Sequence, residues 1–277
     1  MFLASPKMFR TALSAKVKSE FVNYFHIEKN RIMTKLIKSM GPVALVLAAA
    51  FTISSATAAT IQSDLSDFVA IELNSSADVE ITIGSEYSIT MTGAQESIDR
   101  MELDIKGNTL EIRDRGKFKL FGRGSLGEVQ IAITMPDIEE MKIRSSGNAE
   151  ITGVDNDNIK FDIDSSGDIY VTGKSENLNI EINSSGDIEL DEFTANTVFI
   201  EVNSSGDVEF DGGQCNNMQI EVDSSGDVDA REFVCKEVSV DVSSSGDSRV
   251  YASELVTVEA NSSGKIDVFG EPKKVVD

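Results

Sequence analysis

The chain is predicted to be all-β, a parallel β-helix-like solenoid with coils of about 20 residues, and three observations in its 277 residues carry that reading. A Ser-Ser-Gly-Asp tetrapeptide or a near copy recurs seven times, with its glycine at Gly147, Gly167, Gly186, Gly206, Gly226, Gly246 and Gly264, in steps of 20, 19, 20, 20, 20 and 18. Apolar residues around each tetrapeptide fall on alternate positions, as in Ile180, Ile182, Ile188 and Leu190, which is strand periodicity. Cys215 and Cys235 each stand nine residues after a repeat glycine, so the same place recurs in consecutive units. A fixed period with one short motif per period means that one small unit is stacked on itself.

From the N-terminus, residues 33–59 have the layout of a secretory signal: Lys35 and Lys38, an apolar run over 43–53, then Ala56-Thr57-Ala58 as a small-residue cleavage site. The exported chain is expected to begin near Ala59 or Thr60. An apolar stretch of about a dozen residues is too short to span a bilayer, which takes roughly 20, so no transmembrane span is expected in the exported part. Residues 1–32 are a basic upstream extension. Met33 sits where a signal of ordinary proportions would start, so this extension is either untranslated or an unusually long leader. Residues 1–59 hold eight of the 25 Lys/Arg and two of the 47 Asp/Glu, leaving 17 positive and 45 negative charges on residues 60–277, a formal net of −28. Such a surface favours solubility and cation binding and opposes nucleic acid and anionic lipid. The single histidine, His26, lies upstream of the cleavage site. Its position removes Ser-His-Asp and Cys-His catalysis and His-ligated zinc from the exported part.

Residues 60–277 read as one solenoid domain, irregular over 60–140 and regular over 141–270. In the irregular part, Ile71 to Ile81 is a degenerate copy of the repeat with Ala77 in the place of glycine. Segments 101–105 and 110–113 flank Lys106-Gly107-Asn108-Thr109, a hairpin turn. A strand over 129–135 leads into Pro136. Each regular unit reads as two short strands joined through Ser-Ser-Gly and followed by a looser return segment. The first serines, Ser165, Ser184, Ser204, Ser224 and Ser244, share parity with the apolar positions and are expected to form an inward column bonded hydroxyl to hydroxyl. Glycine is expected at a bend, where it tolerates positive φ and leaves room. Stacked parallel coils place Cys215 and Cys235 about 4.8 Å apart, inside the disulfide window. An oxidising compartment would join them; otherwise they are two free thiols.

The run Asp78-Val79-Glu80-Ile81, Tyr87-Ser88-Ile89-Thr90-Met91, Gly107 to Ile112 and Ile131 to Pro136, followed by Ser-Ser-Gly-Asp coils, resembles the head GIN domain family of autotransporter adhesins over residues 61–270. The resemblance implies a right-handed β-helix-like solenoid on exported bacterial proteins, periplasmic, at the outer surface or secreted, without an assigned activity. The few residues after 270 are not expected to supply a translocator barrel.

Three constellations are candidates for function. The residues after the repeat glycines form an outward column, Asp168, Asp187, Asp207, Asp227 and Asp247, between Asn148 and Lys265, with a second column through Asp162, Glu181, Glu201, Glu221, Asp241 and Glu259. Stacked carboxylates repel, so either solvent or cations absorb the cost; paired hard oxygens suit weak, multi-site calcium, and a solvated acidic face is the alternative. A basic island over 113–123 alternates Lys117, Lys119 and Arg123 with Phe118, Leu120 and Phe121. It reads as a docking site for lipopolysaccharide phosphates, a membrane surface or a partner's acidic patch, or as an inward-packing strand and loop. Arg231 and Arg249 are the coil arginines that a calcium-dependent polysaccharide lyase would use, but no unit breaks the repeat as an active site would. The expectation is a non-catalytic adhesin-like binding or structural module with a glycan or cell-envelope partner, and without a cofactor beyond that calcium; the lyase is the alternative.

Overall fold

Strand-forming residues fill the chain in short alternating runs until the repeats begin and the strands lengthen. In the computed structural model residues 58–116, 129–243, 245–261 and 263–276 are described, within a unit spanning Ala56–Asp277. The expected leader and upstream extension lie outside the described residues, apart from Ala58 and Ala59. The irregular section holds β1 (Ala58–Ser63), β2 (Ala70–Asn74), β3 (Asp78–Ile83), β4 (Ser88–Ala94), one helical turn α1 (Gln95–Ile98), β5 (Met101–Lys106), β6 (Thr109–Asp114), β7 (Gln130–Met135) and β8 (Glu140–Ile143). The regular section follows as β9 (Ala149–Ile163), β10 (Ile169–Ile182), β11 (Ile188–Val202), β12 (Val208–Val222), β13 (Val228–Val242) and β14 (Ser248–Ala260). Two short strands, β15 (Ile266–Phe269) and β16 (Lys274–Val276), close the order.

Strands β9 to β14 are parallel and paired coil to coil, so Ile169, Ile188, Val208, Val228, Ser248 and Ile266 stack in one column, and Phe161, Ile180, Ile200, Ile220, Val240 and Val258 in another. All but the last member of each column are buried. One coil is a 15-residue strand, such as β11, plus the five-residue turn Asn203 to Asp207. The return segment is therefore paired strand and not loose chain: Thr194 pairs with Gln214 and Cys215 with Cys235. It is bent into two arms at local irregularities, for instance between Thr172 and Lys174 and at Gly213, whose φ is +100°. The arm before the bend is called the first arm, the stretch leading into the next turn the second. Phe193, Phe210 and Phe233 fill the interior near the bend, with the rings of Phe210 and Phe233 stacked at 4.3 Å.

At the turns the structure corrects two expectations. Ser165, Ser184, Ser204 and Ser224 are only half-buried, and the axial bonds run through carbonyls: Ser184 O accepts from Ser205 N–H at 3.2 Å and Ser204 O from Ser225 N–H at 3.1 Å. The backbone takes the position because its N–H and C=O must be paired first. The repeat glycines, in turn, do not have positive φ. They are required by approach distance: a Cβ on Gly186 would lie 2.1 Å from Gly167 O, and one on Gly206 2.2 Å from Gly186 O. Among the described residues Ala77 heads this column, and its carbonyl lies under Gly147 in the same way.

The N-terminal section departs from sequence order. β2 lies between β6 and β8, and β3 between β7 and β9, all parallel. The coil made of β2 and β3 is thus inserted between the rung of β6 and β7 and the regular coils. Antiparallel strands cap that end, β5 on β6 through the two-residue turn Gly107-Asn108, and β4 then β1 on β7. At the other end β15 and β16 lie on the two arms of β14.

Candidate functional site

The predicted Asp column exists and has a backbone role. Each Oδ1 accepts the N–H of the equivalent residue in the next coil: Asp187 N–H to Asp168 at 3.0 Å, Asp207 to Asp187 at 2.9 Å, Asp227 to Asp207 and Asp247 to Asp227 at 2.8 Å, and Lys265 to Asp247 at 3.0 Å. The ladder begins earlier than expected, with Asn148 N–H on Asp78 and Asp168 N–H on Asn148, both at 3.0 Å. Asn148 supplies an amide oxygen in the same way, so the position needs an acceptor more than a charge. Burial raises the Asp187 pKa above the usual carboxylate value; the bond from Asp207 N–H opposes this, and the charges of Asp207 and Asp168 add to it. Among the described residues no group of three or more His, Cys, Asp or Glu is placed to hold a metal ion.

The second column is also in register, from Asp162 through Glu181, Glu201, Glu221 and Asp241 to Glu259. It ends the second arm, across the Ser-Ser-Gly turn from the Asp column. Lysines neutralise its N-terminal part: Lys142 Nζ lies 2.6 Å from Asp162 and 3.0 Å from Asp164, and Lys160 Nζ 2.8 Å from Glu181. The bond from Lys160 holds the Glu181 pKa below its usual value. Asn183 bridges Glu181 and Asp164, and Asn203 repeats the bridge from Glu201 to Asn183.

A third column escaped the sequence reading although its signal was present two residues after each ladder position. On the outward face of the first arm, Glu80, Glu150, Tyr170, Glu189, Glu209, Asp229, Arg249 and Asp267 stand side by side. Burial, then the charge of neighbouring carboxylates, raises the pKa of Glu189, Glu209 and Asp211. Where this face meets β4 and β7 it forms a groove of about 660 Å³ lined by Glu80, Glu150, Tyr170 and Glu189 from the column, Asp78, Asp168 and Asp187 from the ladder, and Thr90, Thr92 and Gln130 from the cap. Tyr170 donates its hydroxyl to Asp191 at 3.0 Å, and burial together with that bond pushes its pKa up to about 12. The groove therefore offers a neutral phenol, amides and hydroxyls on a carboxylate floor.

The remaining candidates are engaged elsewhere or lie outside the described residues. Residues 117–123 of the basic island are among the latter. Its described arginines face carboxylates of the hairpin, Arg113 with Glu111 at 2.6 Å and Arg115 with Glu102. Arg231 pairs with Asp229, and Arg249 lies 3.8 Å from Asp229 and 3.9 Å from Asp247. The cysteines form the expected disulfide, with S–S 2.01 Å and Cα–Cα 4.5 Å.

A sequence profile described as "Putative auto-transporter adhesin, head GIN domain" matches residues 67–272. The chain belongs to this family. The head GIN domain seen here has the fold of several solved structures. One, described as a "putative lipid binding protein" from Parabacteroides distasonis ATCC 8503, is 20% identical with a TM-score of 0.64, covering 79% of this chain and 97% of that one. A "putative adhesin" from Parabacteroides merdae ATCC 43184 is 15% identical, TM-score 0.61, covering 79% and 96%. Another from Bacteroides fragilis NCTC 9343 is 17% identical, TM-score 0.58, covering 80% and 93%. At these identities the likeness is one of fold. By sequence, no curated protein matches the chain. Among the described residues no helix of the head GIN domain is long and apolar enough to cross a membrane.

Proposed function

We propose that this head GIN domain is an exported, non-catalytic binding module that holds a repetitive, hydroxyl-rich partner, a glycan of the cell surface or envelope, along the first-arm face and in its terminal groove. The observation that carries the reading is the groove beside Tyr170, where an aromatic ring, amides and fixed carboxylates converge on one concave surface. Sugar rings present apolar C–H faces to an aromatic side chain and hydroxyl donors to carboxylates. Beyond the groove the same face continues through Glu189, Glu209 and Asp229 at one strand spacing per coil, so weak contacts to a repeating partner would add. The adhesin description of the family supports this reading. Divalent cations would join it through the outer oxygens of Asp168 to Asp247, weakly and at many places.

The test is a glycan array probed with and without millimolar calcium, using the protein and its Tyr170→Ala variant. Binding to repeating glycans is expected, with a loss of about tenfold in affinity for the variant, or roughly 1.4 kcal/mol. A folded protein that retains no glycan in either condition, or a variant that binds as well as its parent, would sink the reading. Release of unsaturated oligosaccharides from polyuronate would instead make the domain a lyase.

A further inference from the structure

The sheet runs from β1 to β15 without a break, and each of these two strands has a single neighbour among the described residues, β4 and β14. Both edges belong to the first arm. They also point the same way: β1 is antiparallel to β4 and β4 to β7, while β7, β3 and β9 to β15 are parallel. An exposed strand edge is a template for pairing unless charge, proline or a cover blocks it. β5, the edge of the other arm, is so protected by Glu102, Asp104 and Lys106, whereas β1 reads Ala-Ala-Thr-Ile-Gln-Ser with no charged side chain and β15 reads Ile-Asp-Val-Phe with one, Asp267. Of the six large apolar side chains exposed among the described residues, five lie at these ends: Ile61 on β1, and Val268, Phe269, Val275 and Val276 on β15 and β16. The flanks carry the acidic columns, so side-by-side contact of two copies is opposed by like charge while end-to-end contact is not.

We propose that the partner of each end is a second copy of this chain, joined head to tail, with β15 of one copy pairing in parallel with β1 of the next. Parallel register lets the first-arm ladder continue across the joint with the direction it has from coil to coil. The joint is confined to that arm, because two strands cap β7 at the N-terminal end and only β5 caps β6. It is accordingly small and weak. A heterologous contact of this kind does not close on itself and yields open chains of copies.

The full chain is followed by sedimentation velocity and electron microscopy over a concentration series at low and high salt, beside Ile61→Lys and Val268→Lys, with circular dichroism as the check on folding. The expected result is growth in size with concentration at both salt levels, because the end-to-end joint does not bring the acidic flanks together and screening them leaves it in place. Each variant alone stays monomeric, and their equimolar mixture stops at a dimer, because one copy offers only its β15 edge and the other only its β1 edge. A parent that is monomeric throughout overturns the proposal. So does a dimer that survives Ile61→Lys, since that would join two C-terminal ends.

Discussion

Gly206 and Asp207 are neighbours with opposite tolerances. A methyl group on Gly206 would meet Gly186 O, a backbone atom, at 2.2 Å and the Ile182 side-chain Cγ2 at 2.7 Å. Gly206→Ala should therefore destabilise by about 3 kcal/mol in chemical denaturation, the upper end of what overpacking costs, because the nearer atom is backbone. A cost below about 1 kcal/mol would mean that the coils separate more readily than their ladder of bonds implies. Asp207 only has to present an acceptor. The repeat made the importance of both residues readable in the sequence, but not its cause. Periodicity reveals that a position is constrained; whether by φ, by hydrogen bonding or by the carbonyl of the preceding coil depends on atoms about 20 residues away in the chain.

Within the coils, the stretches on either side of each turn were legible because their alternation is anchored by an unmistakable turn, while the return segment, read as loose, is paired strand; the pairing of Cys215 with Cys235 followed from equal offsets. The disulfide closes a loop with a separation of 20 residues in an already registered ladder. Replacing both cysteines with alanine should lower stability by about 3 kcal/mol, chiefly by freeing the unfolded chain. An unchanged melting temperature would show that stacking alone sets the register. The strands that could not be read are those whose partners are chosen at long range. Nothing local to residues 70–83 says that β2 will sit between β6 and β8 instead of before both, because all three offer the same alternating apolar face. The groove was missed for a related reason: Thr90, Thr92 and Gln130 reach the first-arm face only through that rearranged cap.

For the molecule as a whole, pH acts through two opposed groups of carboxylates. Asp187, Glu189, Glu209 and Asp211 bind protons more tightly folded than unfolded, so when ionised they oppose folding. That cost is relieved as pH falls through their raised values toward the ordinary 3.8 to 4.5. Glu181, held low first by Lys160, and Asp229, held low first by Arg231, work the other way. Their contribution is present above the ordinary values and disappears as pH falls through the depressed ones. Thermal stability should consequently rise on acidification from pH 7 to about 5 and fall below about pH 4. A steady decline from pH 7 downward would show that the ion pairs dominate. The inserted coil carries a further consequence, for biogenesis. β2 and β3 are synthesised before every strand that flanks them, and the bond from Asn148 to Asp78 bridges 70 residues. A polypeptide leaving a ribosome or a translocation channel N-terminus first must hold β2 without a parallel neighbour until β6 has emerged, and one side of β3 open until residue 149 and beyond have followed, after which each later coil can settle on its predecessor as it arrives.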